Sequence, residues 1–353
     1  MSHNETTCLL CGASAELRHA EYPGYQEPYT FRIYHCPACN TAYSRPHVDT
    51  SVIYEHIYRN AVRVPGYNRY LRYARFIKKF PDPIGYLARS AETYWAVKEA
   101  LAHHIKDKEQ ARILEIGSGL GYLTYSLVQA NYQVVGLDIS QTAVKQATEN
   151  FGSRYVCADL YEYSGVNAGS FDAVISTEVI EHTGDPSAFI EAAVKLLKPG
   201  GLAIITTPNK SFYPGDIIWA SDLPPVHYWW FSEESMKCFA GKLNLDISFV
   251  NFNRYYKRRY KVIGLKSIRA GRLPEPFLDR NGELKNQTAR SKGDLKLQIQ
   301  LLLAKLPLAD KIAGQLTVIL RKALGKLREL FENDIIVCAD RGIVLCAKIL
   351  KRS

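Results

Sequence analysis

A turn carrying three glycines, Glu115-Ile-Gly-Ser-Gly-Leu-Gly121, separates a strand-like run, Arg112 to Ile116, from a helix-like one, Tyr122 to Ala130. Glycines at such a junction let a ligand approach the backbone and present the helix's first N–H groups to it. The next acidic residue, Asp138, follows Gly117 by 21 positions and closes the strand-like run Gln133 to Leu137. A carboxylate there suits both hydroxyls of a ribose, which narrows the ligand to an adenosine-type cofactor. A tight turn without a ligand is the plain alternative for Gly117, Gly119 and Gly121.

The same alternation continues downstream. Strands are expected at Arg154 to Cys157, Phe171 to Ser176 and Leu202 to Thr207, with a helix over Ala188 to Leu197 that Asp185 caps ahead of Pro186. After Pro208 come a Pro- and Trp-rich loop, a helix over Glu233 to Leu243, a strand near Asp246 to Asn251, and a last strand over Gly342 to Lys351. Strands alternating with helices imply an α/β fold with a parallel, doubly wound sheet. A chain of 353 residues is long enough to add appendages to such a domain. The expected division is 1–48, a zinc-binding unit; 49–108, a helical and aromatic cap; 109–253, the core; 254–332, a basic helical insertion; and 333–353, the end of the core.

At this point the chain resembles the class I S-adenosylmethionine-dependent methyltransferases. The resemblance covers residues 109–253 and the last strand, and it is carried by five pieces in order. These are Leu114-Glu115-Ile-Gly-Ser-Gly-Leu-Gly121, Gly136-Leu-Asp138-Ile-Ser, Cys157-Ala-Asp159-Leu, Phe171-Asp172-Ala-Val-Ile-Ser and Leu197-Lys-Pro-Gly-Gly201. It implies a Rossmann-like, seven-stranded sheet. Glu115, Gly117, Ser118, Gly119 and Gly121 then lie beside the methionine half of S-adenosyl-L-methionine, Asp138 and Ile139 at the ribose, Asp159 and Leu160 at the adenine, and Thr177 at the edge of the site.

Thr177-Glu178-Val-Ile-Glu181-His182 follows the fourth of these strands, at the edge where open α/β sheets bind substrate. On a helix, the i, i+3, i+4 spacing brings Glu178, Glu181 and His182 onto one face. Two carboxylates and an imidazole so crowded invite a divalent cation, Mg2+, Mn2+ or Zn2+. E-x-x-E-H resembles the segment of ubiquinone-biosynthesis O-methyltransferases and of small-RNA 2′-O-methyltransferases. In the RNA enzymes a later histidine beyond T-P-N completes a metal site, and here His227 follows Thr207-Pro-Asn209. The resemblance implies a metal holding two neighbouring oxygens of a catechol or vicinal diol. The alternative is a metal-free site in which His182, with Glu181 and His227 nearby, acts as a general base. Trp229, Trp230 and Phe231 either line a substrate pocket or pack against the sheet.

Cys8-x2-Cys11 and Cys36-x2-Cys39 read as one structural zinc site. A partly metallated site, with His35 or His19 as substitute ligand, is the alternative. Cys157, Cys238, Cys338 and Cys346 read as small core residues, and no disulfide is expected. The formal net charge of +10 is concentrated in the insertion. Arg254 to Leu330 holds 19 Lys and Arg against 6 Asp and Glu. Arg254-Tyr-Tyr-Lys-Arg-Arg-Tyr-Lys261 interleaves cations with aromatics, as in a strand that grips RNA. Ile312, Leu316, Ile319, Leu320, Ala323, Leu327 and Leu330 oppose Lys311, Arg321, Lys322, Lys326 and Arg328, a pattern for an interfacial helix on an anionic membrane or for a lid or dimer helix. No uninterrupted apolar run of about 18 residues is present, and Met-Ser-His-Asn-Glu-Thr-Thr is not a signal peptide. A cytoplasmic protein is expected, with peripheral contact at the inner membrane face as a variant.

Together these features point to O-methylation of a hydroxyl on a sugar, glycan or other diol-bearing small molecule. RNA methylation is the second reading, and a non-catalytic zinc-stabilised binding module the third. The oligomeric state is left open.

Overall fold

The computed structural model describes residues 5–59, 64, 67–212, 223–256, 263–264, 273–285, 335–336 and 344–352. The chain opens with an antiparallel meander, β1 (Glu5–Thr7), β2 (Ser14–Pro23), β3 (Thr30–Cys36) and β4 (Thr41–Arg45). Helices α1 (Ser51–Arg59), α2 (Tyr67–Phe76), α3 (Pro83–Ser90) and α4 (Glu92–His104) follow. Pro83 starts α3 behind an Asp82 cap, where a missing N–H costs nothing.

The core then alternates. Its elements are β5 (Arg112–Ile116), α5 (Tyr122–Val128), β6 (Gln133–Asp138), α6 (Gln141–Phe151), β7 (Tyr155–Cys157), α7 (Leu160–Val166), β8 (Phe171–Thr177), α8 (Pro186–Lys195) and β9 (Leu197–Pro208). Asp159 and Asp185 each accept two backbone N–H groups at the starts of α7 and α8, and truncating either to Ala costs about 1 kcal/mol. After β9 come β10 (Trp229–Trp230), α9 (Glu233–Lys242), β11 (Asp246–Phe249), α10 (Asn253–Tyr256), β12 (Ile263–Gly264), β13 (Ile335–Ile336) and β14 (Val344–Leu350).

The large sheet has seven strands in the order β11-β14-β9-β8-β5-β6-β7. One expectation needs correction: the sheet is not wholly parallel. β14 runs antiparallel to both β9 and β11, which a strand slotted between two others can do without a crossover helix. Its buried strands read as continuous apolar runs, Ile113 and Leu114 in β5 and Ala173 to Ile175 in β8, because helices cover both faces.

The second surprise is β10. Trp229 and Trp230 pair with Tyr43 and Ala42 of β4, so the N-terminal sheet is five-stranded and takes its last strand from beyond residue 208. Trp229 stacks near Tyr43 and Phe231, and all three are buried. Packing, not pocket lining, is what these aromatics do. Cys346 is buried and Cys238 half-buried, whereas Cys157 is exposed at the end of the edge strand β7, against the core placement expected from its neighbours. Cys338 and the amphipathic run 311–330 lie outside the described residues, as does most of the basic insertion 254–332. Within it, residues 273–285 dock on the N-terminal sheet, where Leu278 is fully buried and accepts from the Glu27 N–H. Among the described residues no helix is long and apolar enough to cross a membrane.

Candidate active site

The loop after β5 takes the shape its glycines allow. Gly117, Gly119 and Gly121 have φ of +72°, +49° and +79°, the left-handed region. Gly117 and Ser118 both donate to the Leu137 carbonyl (2.8 and 3.0 Å), which fastens the loop to β6. The Asp138 carboxylate accepts from Gly119 N–H (2.7 Å) and Ser140 N–H (2.8 Å), each on a different oxygen. It thus sits beside the loop, its second lone pairs available to a ligand's hydroxyls. Asp159 takes both its bonds, from Tyr161 and Glu162, on one oxygen.

Two apolar side chains adjoin these carboxylates in sequence, Ile139 after Asp138 and Tyr161 two residues after Asp159. Ile139 is 74% exposed and Tyr161 46% exposed, an arrangement suited to the face of a flat base. Buried Ser118 Oγ has no hydrogen-bond partner. These features fit an adenosine cofactor. Leu160 is buried under α7 and Thr177 half-buried at the end of β8. Tyr161 is a candidate that the motifs alone do not single out; its place two residues past Asp159 is the signal for it.

Glu115 is buried in β5 and accepts a hydrogen bond from Thr124. Desolvation pushes its carboxyl up to about 8, with Asp138 adding to the shift and Thr124 opposing it. In the unfolded chain it titrates near 4.3, so between those values the fold holds a proton that the unfolded state releases. Its contribution is complete below the unfolded value and is lost as pH rises through the folded one. Replacing Glu115 with Gln should therefore remove a slope of about 1.4 kcal/mol per pH unit from unfolding over that window. Urea midpoints at two pH values inside it measure the effect. A wild-type slope retained in the variant would count against a protonated Glu115.

A second group of polar side chains lies at the end of β8. Glu178 has φ +55°, donates its N–H to Thr206 O (3.0 Å) and accepts from Thr206 Oγ1 (2.9 Å). Ile180–His182 is a single 3-10 turn, not an α-helix. The expected i, i+3, i+4 face therefore does not form: the Glu178 carboxylate accepts from Thr206 of β9, while its backbone bonds His182. Glu181, His182 and His227 do converge: a ligand atom of each lies within 4.8 Å of those of the others. His182 and His227 meet edge to face at 4.6 Å, and Glu181 Oε1 lies 4.0 Å from His182 Nε2.

His182 has several partners: Nδ1 lies 2.5 Å from the Val226 carbonyl, and the ring also bonds the Glu178 backbone. Burial pushes both His182 and His227 down to about 3, with His227 adding to the shift at His182. Two neutral imidazoles thus face a fully buried carboxylate, and His227 Nδ1 has no hydrogen-bond partner. Neutral nitrogen donors beside a carboxylate oxygen are the donor set of a three-ligand divalent site with open positions.

The cap closes over this end. Tyr54 Oη lies 3.1 Å from His182 Nδ1, and Tyr70 stacks over Tyr122, the first residue of α5. Arg69 donates to Tyr70 Oη (3.0 Å), and Tyr94 and Tyr122 share a 2.6 Å hydrogen bond. The Tyr- and Arg-rich segment pointed to a cap; nothing in its spacing singled out Tyr54. The two halves of the site touch, because a Cβ on Gly117 would stand 2.5 Å from Val179 Cγ2, between Glu178 and Ile180.

At the N-terminus, Cys8 and Cys39 Sγ are 3.8 Å apart and Cys11 and Cys36 Sγ 3.5 Å. Four thiolates on zinc at about 2.3 Å stand about 3.8 Å from one another. Each C-x-x-C is followed by a left-handed residue, Gly12 (φ +81°) and Asn40 (φ +52°), which folds the pair back on itself. The Cys39 thiol holds Cys8 down to about 5, while the same bond and burial push Cys39 far up. His35 bonds to Arg18 and Asn40 and stands outside the sulfur group.

Comparison with known proteins bears on the core. Residues 114–205 match the model of the methyltransferase domain. This segment is a methyltransferase domain. It spans the cofactor loop, Asp138, Asp159 and the Glu181-His182 turn. The ubiquinone biosynthesis O-methyltransferase of Caulobacter sp. (strain K31) is 34% identical over 108 residues, 29% of this chain and 43% of that one. That of Xanthomonas axonopodis pv. citri (strain 306) is 37% identical over 106 residues, 29% and 44%. The chain thus spans less than half the length of these relatives. Among solved structures, Haemonchus contortus phosphoethanolamine N-methyltransferase 2 in complex with S-adenosyl-L-methionine aligns with a TM-score of 0.42. It is 20% identical and covers 73% of this chain and 53% of that one. An S-adenosylmethionine-dependent methyltransferase from Archaeoglobus fulgidus aligns at 0.41 and 15%, covering 72% and 93%. The methyltransferase domain carries both the cofactor loop and two of the three clustered groups, and His227 reaches it from outside the matched segment.

Proposed function

We propose that this chain is an S-adenosylmethionine-dependent O-methyltransferase whose acceptor presents neighbouring hydroxyls, on a sugar, a glycan or a related metabolite. The observation that carries this reading is the convergence of Glu181, His182 and His227 at the carboxyl edge of β8, on a turn that abuts Gly117 of the cofactor loop. A donor methyl and a receiving oxygen placed there are neighbours. In the transfer, the acceptor oxygen attacks the sulfonium methyl, the carbon–sulfur bond breaks, and S-adenosylhomocysteine leaves. Alignment and removal of one proton are all the protein must supply.

Glu181, His182 and His227 are the groups that would hold a divalent ion, leaving open positions for two adjacent oxygens. Such an ion supplies acidification of a coordinated hydroxyl, as it lowers a bound water from about 15.7 to about 7. A metal-free mode, with His182 as the general base, is weighed against by the burial that pushes this imidazole down to about 3. The four N-terminal cysteines form a structural zinc site in this reading, supported by their sulfur spacing.

The test is transfer of a labelled methyl group to sugar nucleotides, glycolipids, catechols and RNA, with and without chelator. Metal-assisted O-methylation should lose most of its rate on chelation and recover it with added Mg2+, Mn2+ or Zn2+. Turnover that ignores chelator, with a Glu181→Ala variant still active, would remove the metal from the proposal. Preference for RNA over every small acceptor would overturn the acceptor class.

A further inference from the structure

The N-terminal sheet and the Glu181, His182 and His227 cluster are joined through Tyr228 and Trp229. Ser44 in β4 donates its N–H to Tyr228 O, and Tyr228 donates its N–H to Glu181 O, both at 2.9 Å. The adjoining Trp229 indole N–H donates to Thr183 O (2.9 Å), immediately after His182. Tyr228 Oη donates to Val48 O, which ties the same segment to the strand's exit. His227 precedes this segment directly.

The other end of the segment is gripped by the second cysteine pair. Ser232 Oγ and Ser235 Oγ both donate to the Cys39 carbonyl (3.3 and 3.1 Å), and Thr41 Oγ1 donates to Ser235 Oγ (2.6 Å). Cys39 Sγ in turn bonds Thr41 Oγ1 (3.2 Å). Ser232 and Ser235 form the capping box of α9, so the turn from β10 into α9 is built on the cysteine knuckle. All of Thr41, Ser44, Ser232 and Ser235 are fully buried, where every lost bond leaves a costly unsatisfied group. The cofactor loop takes its bonds elsewhere, from Leu137 and Asp138 of β6.

We propose that the Cys8, Cys11, Cys36 and Cys39 site is a positioning device for the acceptor half alone. Zinc in the knuckles fixes β4, β4 fixes residues 228–232, and these hold Glu181, His182 and His227 in register. The cofactor half does not depend on it. Calling the cluster an acceptor site rests on the methyltransferase reading; the coupling itself does not.

The experiment uses the full chain with three readouts: bound zinc, calorimetry with S-adenosylhomocysteine, and nitrogen NMR of the histidines. A Cys36→Ser protein should lose zinc and shift the ring-nitrogen signals of His182, yet keep its affinity for S-adenosylhomocysteine within about threefold, under 1 kcal/mol. Trp229→Phe keeps the stacked ring and the zinc but deletes the bond to Thr183. It should perturb His182 with zinc content and cofactor affinity unchanged, and it decides the matter if Cys36→Ser does not fold. Affinity for S-adenosylhomocysteine falling in step with zinc would overturn the proposal, since zinc would then hold the whole fold. A His182 signal unmoved in the variants would overturn it equally. Wild-type protein that binds zinc but no S-adenosylhomocysteine would instead contradict the methyltransferase reading, with the histidine spectra still judging the coupling.

Discussion

Replacing His182 with Ala should lower kcat by about 10²- to 10⁴-fold while leaving S-adenosylhomocysteine binding nearly unchanged. In the proposed function the imidazole serves the acceptor, with Nδ1 beside the Val226 carbonyl and Nε2 4.0 Å from Glu181 Oε1. Both proposed modes use that nitrogen, as a ligand or as a base, so both predict the loss. The cofactor loop touches this turn through Val179, not through His182, which separates the two effects. Labelled-methyl transfer at saturating acceptor measures the change. A variant within a fewfold of wild type would remove His182 from the chemistry.

A Gly121→Ala protein should be destabilised by several kcal/mol and should lose cofactor binding with it. Two costs combine. Gly121 has φ +79°, which an alanine adopts at about 1 to 2 kcal/mol. The new Cβ would also lie 2.7 Å from Ala147 Cβ and from the Tyr155 ring, and relieving such overpacking costs about 1 to 3 kcal/mol. Neither neighbour can swing away: Ala147 is fully buried in α6, and Tyr155 is held by its hydroxyl on the Gly121 carbonyl (2.7 Å). The loop itself would have to move, and with it the N–H groups that face the ligand. Gly119→Ala is the contrast, because a Cβ there meets nothing within 4 Å and carries only the backbone cost. Urea unfolding of both variants checks the ordering, and equal destabilisation would contradict it.

Local pattern made the cofactor half legible. Strand, glycine turn, helix and acidic strand end are short-range features, and each lies where its residues required. Asp159 and Asp185 cap their helices for the same local reason. The cysteine pairs were equally readable, because the left-handed Gly12 and Asn40 close each knuckle within a few residues. What the sequence hid are contacts between distant segments. Pairing of Trp229 and Trp230 with β4 spans the whole core, and no alternation in two residues announces it. Glu178 was assigned to the metal group on helical spacing; the strand end imposes a positive φ there and Thr206 takes the carboxylate. Tyr54 reaches His182 across 128 positions of chain. Cys157 looked like core from its neighbours, yet β7 is the sheet's edge and leaves it exposed.

The most direct measurement is calorimetric titration of S-adenosylhomocysteine into wild-type protein and an Asp138→Ala variant. The expected result is saturable one-to-one binding that the variant weakens by about 10- to 150-fold, since hydrogen bonds to a charged group contribute about 1.5 to 3 kcal/mol. Wild-type protein that takes up no S-adenosylhomocysteine, or an Asp138→Ala variant that binds as tightly as wild type, would contradict the cofactor site built by Gly117, Gly119, Gly121 and Asp138.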